Sequence, residues 1–320
     1  MLRQIAMVRI CLPRLFLAIV LLASARPAFA QLDLSGTWAN RLHEDWIERA
    51  PGPALGDYAG LPINDEARAV ADAYQVSIQN MPERQCILYT SQYLVMGPQN
   101  VRIDTERDPI SGAVVAYRLS GGVDRPPHVI WMDGRPHPSK SAEHTPGGFS
   151  TGTWEGNTLT VETTHLSTGL VWRNGVPHSD LATMTEHYAR HGDTLTIVMI
   201  LNDPVYFEEP FIRSASFVLD PNTRVLPEPC EPQVEVPRAP GEIPHYLPGT
   251  NPYLKEVAAF TNLPLEAVRG GAATTYPEYW KKLKESYVRP EKCTQYCCGG
   301  TGVGDPQRNN ACRVDAPAGR

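Results

Sequence analysis

The sequence predicts a mainly β protein: an antiparallel barrel of about eight to nine strands with an N-terminal helix and short C-terminal helices. Three observations carry that expectation. Short segments rich in Val, Ile, Thr, Tyr and Phe recur from Gln92 to Asp220, each bounded by Gly, Asn, Asp or Pro, as hairpin-connected strands require. One clear helical signature precedes them. After Cys230 the composition turns to closely spaced prolines, which cannot continue a sheet.

The first thirty residues read as a signal peptide. Arg3, Arg9 and Arg14 form a basic start, the apolar run Leu15 to Ala25 is too short to span a bilayer, and Ala28-Phe29-Ala30 gives a small-x-small cleavage site. The mature chain is expected to begin at Gln31 and to be periplasmic or secreted. Those thirty residues carry four of the 29 basic residues and none of the 35 acids, so the mature net charge is −10 with histidine neutral. Such a chain lacks the basic face that nucleic acid or an anionic membrane demands. No second apolar run approaches the roughly 20 residues of a spanning helix.

Within the mature chain, Leu32 to Trp38 is the first β-prone run, and its Ser35-Gly36-Thr37-Trp38 looks like the opening of lipocalin-type barrels, where the tryptophan plugs the closed end. Asn64 to Val76 is predicted to be helical: Asn64 can cap it, Asp65 and Glu66 suit its positive end, and alanines recur at helical spacing. Predicted strands are Ser35–Ala39, Val101–Glu106, Ala113–Leu119, His128–Met132, Phe149–Trp154, Thr158–His165, Thr183–Arg190, Thr194–Leu201 and Phe211–Leu219. The turn segments Asp108 to Gly112, Glu155-Gly156-Asn157 and His191-Gly192-Asp193 supply the glycine and Asx chemistry of tight connections. Strands in this number can close a barrel of the class that holds one small ligand.

The expected organisation is residues 31–232 as the barrel domain, 233–250 as a proline-rich linker, 251–289 as a helical appendage packing on the barrel, and 290–320 as a cysteine-rich tail. Two helices are predicted there, Pro252–Thr261 and Tyr276–Tyr287, separated by Arg269-Gly270-Gly271. Six cysteines follow the signal segment, an even number that in an exported protein favours disulfides. Cys86 and Cys230 stand apart from the tail cysteines and are expected to pair. A zinc site in the tail is the rival reading.

Candidate chemistry follows from strand alternation. On Thr158–His165 one face carries Leu159, Val161, Thr163 and His165, apolar at first and then polar, as a cavity wall near its mouth would be. On Thr183–Arg190 the face with Met184, Glu186 and Tyr188 is bulky enough to point inward, and if the face of Thr183, Thr185 and His187 points inward instead, Glu186 is an ordinary solvated charge. An inward Glu186 would need a cation, for which Arg102 and Arg135 are candidates, because an unpaired buried carboxylate is costly. The segment Met132-Asp133-Gly134-Arg135-Pro136-His137-Pro138 joins a turn signal, Asp133-Gly134, to Arg135 and His137, which alternate across one proline toward the same side. An arginine beside a histidine can bind an anion and move a proton.

Trp154, Tyr188, Thr163, Asp133 and Arg102 complete the expected ligand contacts. A metal site from His137, His144 and His165 is a further possibility, but no metal and no cofactor is expected. Neither a phosphate loop nor a dinucleotide fingerprint occurs.

The longer pattern Met132 to Pro138, Gly152-Thr-Trp-Glu-Gly-Asn-Thr-Leu159, Val161 to Leu166, Asn174 to Asp180 and Arg269 to Glu278 resembles a family of uncharacterised exported bacterial proteins. The resemblance implies a lipocalin-like barrel with a Gly-Arg-x-His-Pro loop, and it brings no activity. Here Asn157 stands where that family has aspartate, and Phe149 where it often has histidine. The leading expectation is an exported barrel binding a small organic ligand, with Arg135, His137, His165 and Glu186 at its mouth. An acid/base enzyme using the same four residues and an envelope interaction protein are the alternatives.

Overall fold

The computed structural model describes residues 32–41, 52–87, 89–121, 128–225, 231–233, 238–239, 241–288 and 290. The expected signal segment, Cys230 and the tail cysteines lie outside them.

Nine strands close a barrel: β1 (Gly36–Asn40), β2 (Val101–Arg107), β3 (Val114–Ser120), β4 (His128–Trp131), β5 (Phe149–Glu155), β6 (Thr158–Thr164), β9 (Thr183–His191), β10 (Thr194–Asn202) and β11 (Phe211–Leu219). Their order around the wall is β1, β11, β10, β9, β6, β5, β4, β3, β2, with β2 pairing back to β1. Between β6 and β9 the chain makes a separate two-stranded sheet, β7 (Gly169–Leu170) with β8 (Pro177–His178). Every predicted barrel strand is present, with ends moved by a residue or two.

Alternation builds the interior. Leu195, Ile197, Met199 and Leu201 of β10, Leu159 and Val161 of β6, Tyr117 and Leu119 of β3, and Val101 and Ile103 of β2 are all buried, while their sequence neighbours face outward. Trp38 is fully buried, and its indole nitrogen donates to the Leu34 carbonyl at 2.9 Å. The β5–β6 and β9–β10 hairpins turn on Gly156 (φ 60°) and Gly192 (φ 59°), conformations that suit glycine.

One neighbour relation differs from the antiparallel expectation: β4 and β5 run parallel, Ile130 beside Ser150 and Trp131 beside Thr151. Residues 132–148 are long enough to carry the chain back before the next strand begins, as parallel neighbours require. The Asp133-Gly134 turn therefore opens a long connection and closes no hairpin, although Gly134 does adopt φ 72°.

The predicted N-terminal helix is α1 (Asp65–Ala73). The Asn64 side chain accepts from the Ala67 N–H at 2.9 Å, and Ala67 and Ala71 are buried. It ends before Val76 because Tyr74 turns to extended backbone and bridges His245.

Short helices α2 (Pro82–Gln85) and α3 (Tyr93–Met96) precede β2. The C-terminal part forms a 3-10 turn at Pro252–Lys255, then α4 (Glu256–Thr261), α5 (Leu265–Val268) and α6 (Pro277–Ser286). It docks on α1 and on the chain before it: Arg269 grips Asp72 through two bonds of 2.6 and 2.7 Å, and Gly271 N–H donates to the Leu61 carbonyl. The Ala272 N–H reaches Glu208 in the β10–β11 connection at 2.8 Å.

Candidate functional site

The expected site residues divide between the two faces of one wall. Glu186 and Tyr188 of β9, Thr163 of β6 and Trp154 of β5 lie on the face that points into the barrel. Arg135 and His137 lie on the outer face, where Thr151, Glu162 and Thr164 point. His165 joins the outer group: β6 ends at Thr164, and His165 takes a left-handed backbone (φ 59°) that carries its ring off the Thr163 face. The four residues expected at one mouth therefore do not converge.

On the inner wall Glu186 is completely buried, opposite Val161 of β6 and Met199 of β10. Its Oε1 accepts from the Tyr188 hydroxyl at 3.2 Å, and Oε2 has no hydrogen-bond partner among the described residues. No cation meets it among the described residues: Arg102 is exposed and pairs with Asp104 at 2.9 Å, and Arg135 pairs with Asp133 at 2.5 Å. Burial outweighs the Tyr188 hydrogen bond and pushes the Glu186 carboxyl up to about 8. At neutral pH it is an uncharged acid, able to donate a hydrogen bond as well as accept one.

Other inward groups without a partner among the described residues include the Trp154 indole N–H and the Thr105 hydroxyl. Beside them runs a chain missed by the sequence reading: His128 Nε2 lies 2.8 Å from Ser150 Oγ, which lies 2.7 Å from Thr163 Oγ1, all three residues buried. The signal was present in the sequence, since His128 shares its face with Ile130, and Ser150 shares its face with Gly152 and Trp154.

On the outer wall the Arg135 guanidinium stacks 3.5 Å from the centre of the Trp131 ring while holding Asp133, whose carboxyl it keeps below the ordinary carboxylate range. His137 reaches Thr164 Oγ1 at 2.7 Å and Thr151 Oγ1 at 2.9 Å, with its ring edge against Phe149. Burial holds its pKa below the usual imidazole value, against the opposing pull of Glu162. His165 approaches the same Thr164 oxygen at 2.7 Å, and the His144 ring centre lies 5.0 Å from that of His165. Among the described residues no three of His, Cys, Asp and Glu are placed to hold a metal ion.

A third polar group unites Thr90, His178, Ser179 and Asp203, all buried. It contains the residue types of a catalytic triad without the geometry. The Ser179 hydroxyl donates to Asp203 at 2.8 Å, while His178 meets Thr90 Oγ1 at 2.6 Å and the Ser179 carbonyl at 3.1 Å. Asp203 also accepts from the Ser179 and Val205 N–H groups, so it ties β8 to the β10–β11 connection.

No family model, curated protein or solved structure matches this chain.

Proposed function

We propose that this protein is an exported β-barrel that binds a small, uncharged organic molecule inside the barrel, next to Glu186. The supporting observation is the Glu186 carboxyl itself, completely buried, met by no cation among the described residues, and with one oxygen unpartnered. Buried polar groups are normally satisfied, and a ligand acceptor such as a carbonyl would satisfy the protonated Glu186. An anionic ligand is disfavoured, because its charge would be buried in low dielectric with no cation among the described residues at Glu186 to meet it. Export is supported by the basic-apolar-small order of residues 1–30. A Cys86–Cys230 disulfide belongs to the same reading. Cys86 is disulfide-bonded, and Gln85 and Gln233 exchange two hydrogen bonds of 2.5 Å that bring the two chain segments together.

The test uses two probes of one shape, methyl naphthyl ketone and naphthoate, titrated into the full chain by calorimetry. The ketone is expected to bind at least about ten-fold more tightly, a difference of about 1.4 kcal/mol. Its affinity should fall as pH rises above about 8, where Glu186 ionises. Equal affinity for both probes, or ketone binding unchanged in Glu186→Leu, sinks the proposal.

A further inference from the structure

The contacts on the outer wall have a direction, and one group fixes it. His165 Nε2 lies 2.9 Å from the Ser139 carbonyl oxygen, which can only accept, so Nε2 carries the proton. In the neutral ring Nδ1 is then a bare acceptor, and the Thr164 hydroxyl 2.7 Å away must donate to it. Thr164 has one proton to give. His137 Nδ1, also 2.7 Å from that oxygen, must therefore be protonated and donate to it. His137 Nε2 is left bare and accepts from the Thr151 hydroxyl at 2.9 Å. One carbonyl thus sets two tautomers and two hydroxyl rotors.

We propose that Thr151, His137, Thr164 and His165 form a proton relay along the outer wall of the barrel, a proton-transfer site separate from the barrel interior. A proton arriving at His137 Nε2 makes His137 a cation that donates from both nitrogens, to Thr151 and to Thr164. The His137 Nδ1 proton then passes to Thr164 Oγ1, and the Thr164 proton passes to His165 Nδ1. The charge now sits on His165, which donates to Thr164 and Ser139. Thr164 now donates to His137 Nδ1, and His137 Nε2–H donates to Thr151. One proton has entered, two N–H or O–H bonds have broken and two have formed within the chain, the three bonds between side chains survive with their direction reversed, and the His165–Ser139 bond keeps its direction.

The groups around the relay suit a single mobile charge. Glu162, opposite Thr151 in register, favours a proton on His137, while a charge on His165 opposes it. His144, whose ring faces His165, has Nδ1 3.0 Å from the Leu166 carbonyl, so that nitrogen is its protonated one. Phe149 meets His137 without charge, and Arg135 is held by Asp133 over Trp131. The left-handed backbone of His165 is the local cost of bringing its ring to Thr164. The relay accounts for His137, the member of Met132 to Pro138 that the turn leaves unexplained.

The test is imidazole nitrogen NMR of the full chain carrying isotope-labelled histidine, which reads tautomer and charge at each ring. In the neutral protein His137 is expected as the Nδ1–H tautomer, the less common form, and His165 as Nε2–H. When His165 gains its proton, His137 is expected to turn over to Nε2–H. Thr164→Val removes the bridging hydroxyl at nearly constant volume and should abolish that turnover, and Thr164→Ser should retain it. Finding His137 as Nε2–H in the neutral wild-type protein overturns the proposal. So does a His137 tautomer that ignores the charge on His165. The wild-type spectra decide the matter even where Thr164→Val does not fold.

Discussion

Replacing Glu186 with glutamine should stabilise the protein, by an amount that pH controls. The unfolded chain releases the Glu186 proton near the ordinary value of 4.5, whereas the folded chain holds it to about 8 because ionisation would place a bare charge in the barrel. Below 4.5 both states are protonated and the group has no effect on the balance. Between the two values the unfolded state is favoured by about 1.4 kcal/mol for each pH unit. The interval from 4.5 to about 8 therefore removes about 5 kcal/mol of stability. Glutamine keeps the shape and cannot ionise, so the variant escapes that loss.

Urea unfolding of both proteins across the acidic to mildly alkaline range isolates the effect, because all other groups titrate in both. The expected difference is within about 1 kcal/mol in acid and grows to about 5 kcal/mol in favour of the variant above pH 8. A difference that stays constant with pH would refute the reasoning, since it would mean that Glu186 ionises alike in the folded and unfolded chain.

Two further predictions concern the seat of the C-terminal helices. Asp72→Asn should cost about 2 to 4 kcal/mol by urea unfolding, because it leaves the Arg269 guanidinium without the carboxylate it holds through two bonds. Limited proteolysis should then release the segment after Asn251 sooner than in the wild type. Gly270→Ala should lower the melting temperature: Gly270 sits at φ 74°, and an added Cβ would lie 2.4 Å from the Tyr58 carbonyl oxygen. A cost of about 1 to 3 kcal/mol is expected, and an unchanged melting temperature would show that the loop can move away from Tyr58.

The barrel strands were legible because two simple signals agree along them, side-chain alternation and the glycine or Asx turns between runs. Alternation divides β9 into two faces without deciding between them, and the burial of Met184, Glu186 and Tyr188 is what turns Glu186 inward. The β4–β5 relation was not legible, since the direction of a returning strand depends on how residues 132–148 cross the wall, and no periodicity records that path. His165 was misplaced because alternation fails where the backbone turns left-handed, and a histidine gives no warning of that as a glycine would. The pairing of His137 with Thr151 and Thr164 was hidden for a related reason: a loop side chain meets two strand hydroxyls that are distant in sequence. Arg135, expected to serve a ligand or Glu186, satisfies itself two residues away on Asp133.

The central claim is that the ligand site lies inside the barrel at Glu186, and location tests it most directly. With isotope-labelled protein and unlabelled methyl naphthyl ketone, intermolecular NOEs are expected from the ketone to Val161, Met184 and Met199, which flank or face Glu186 on the inner wall. NOEs confined to outward residues such as Ile212, or to the open groove of about 570 Å³ beside Arg269 and Glu208, would contradict it.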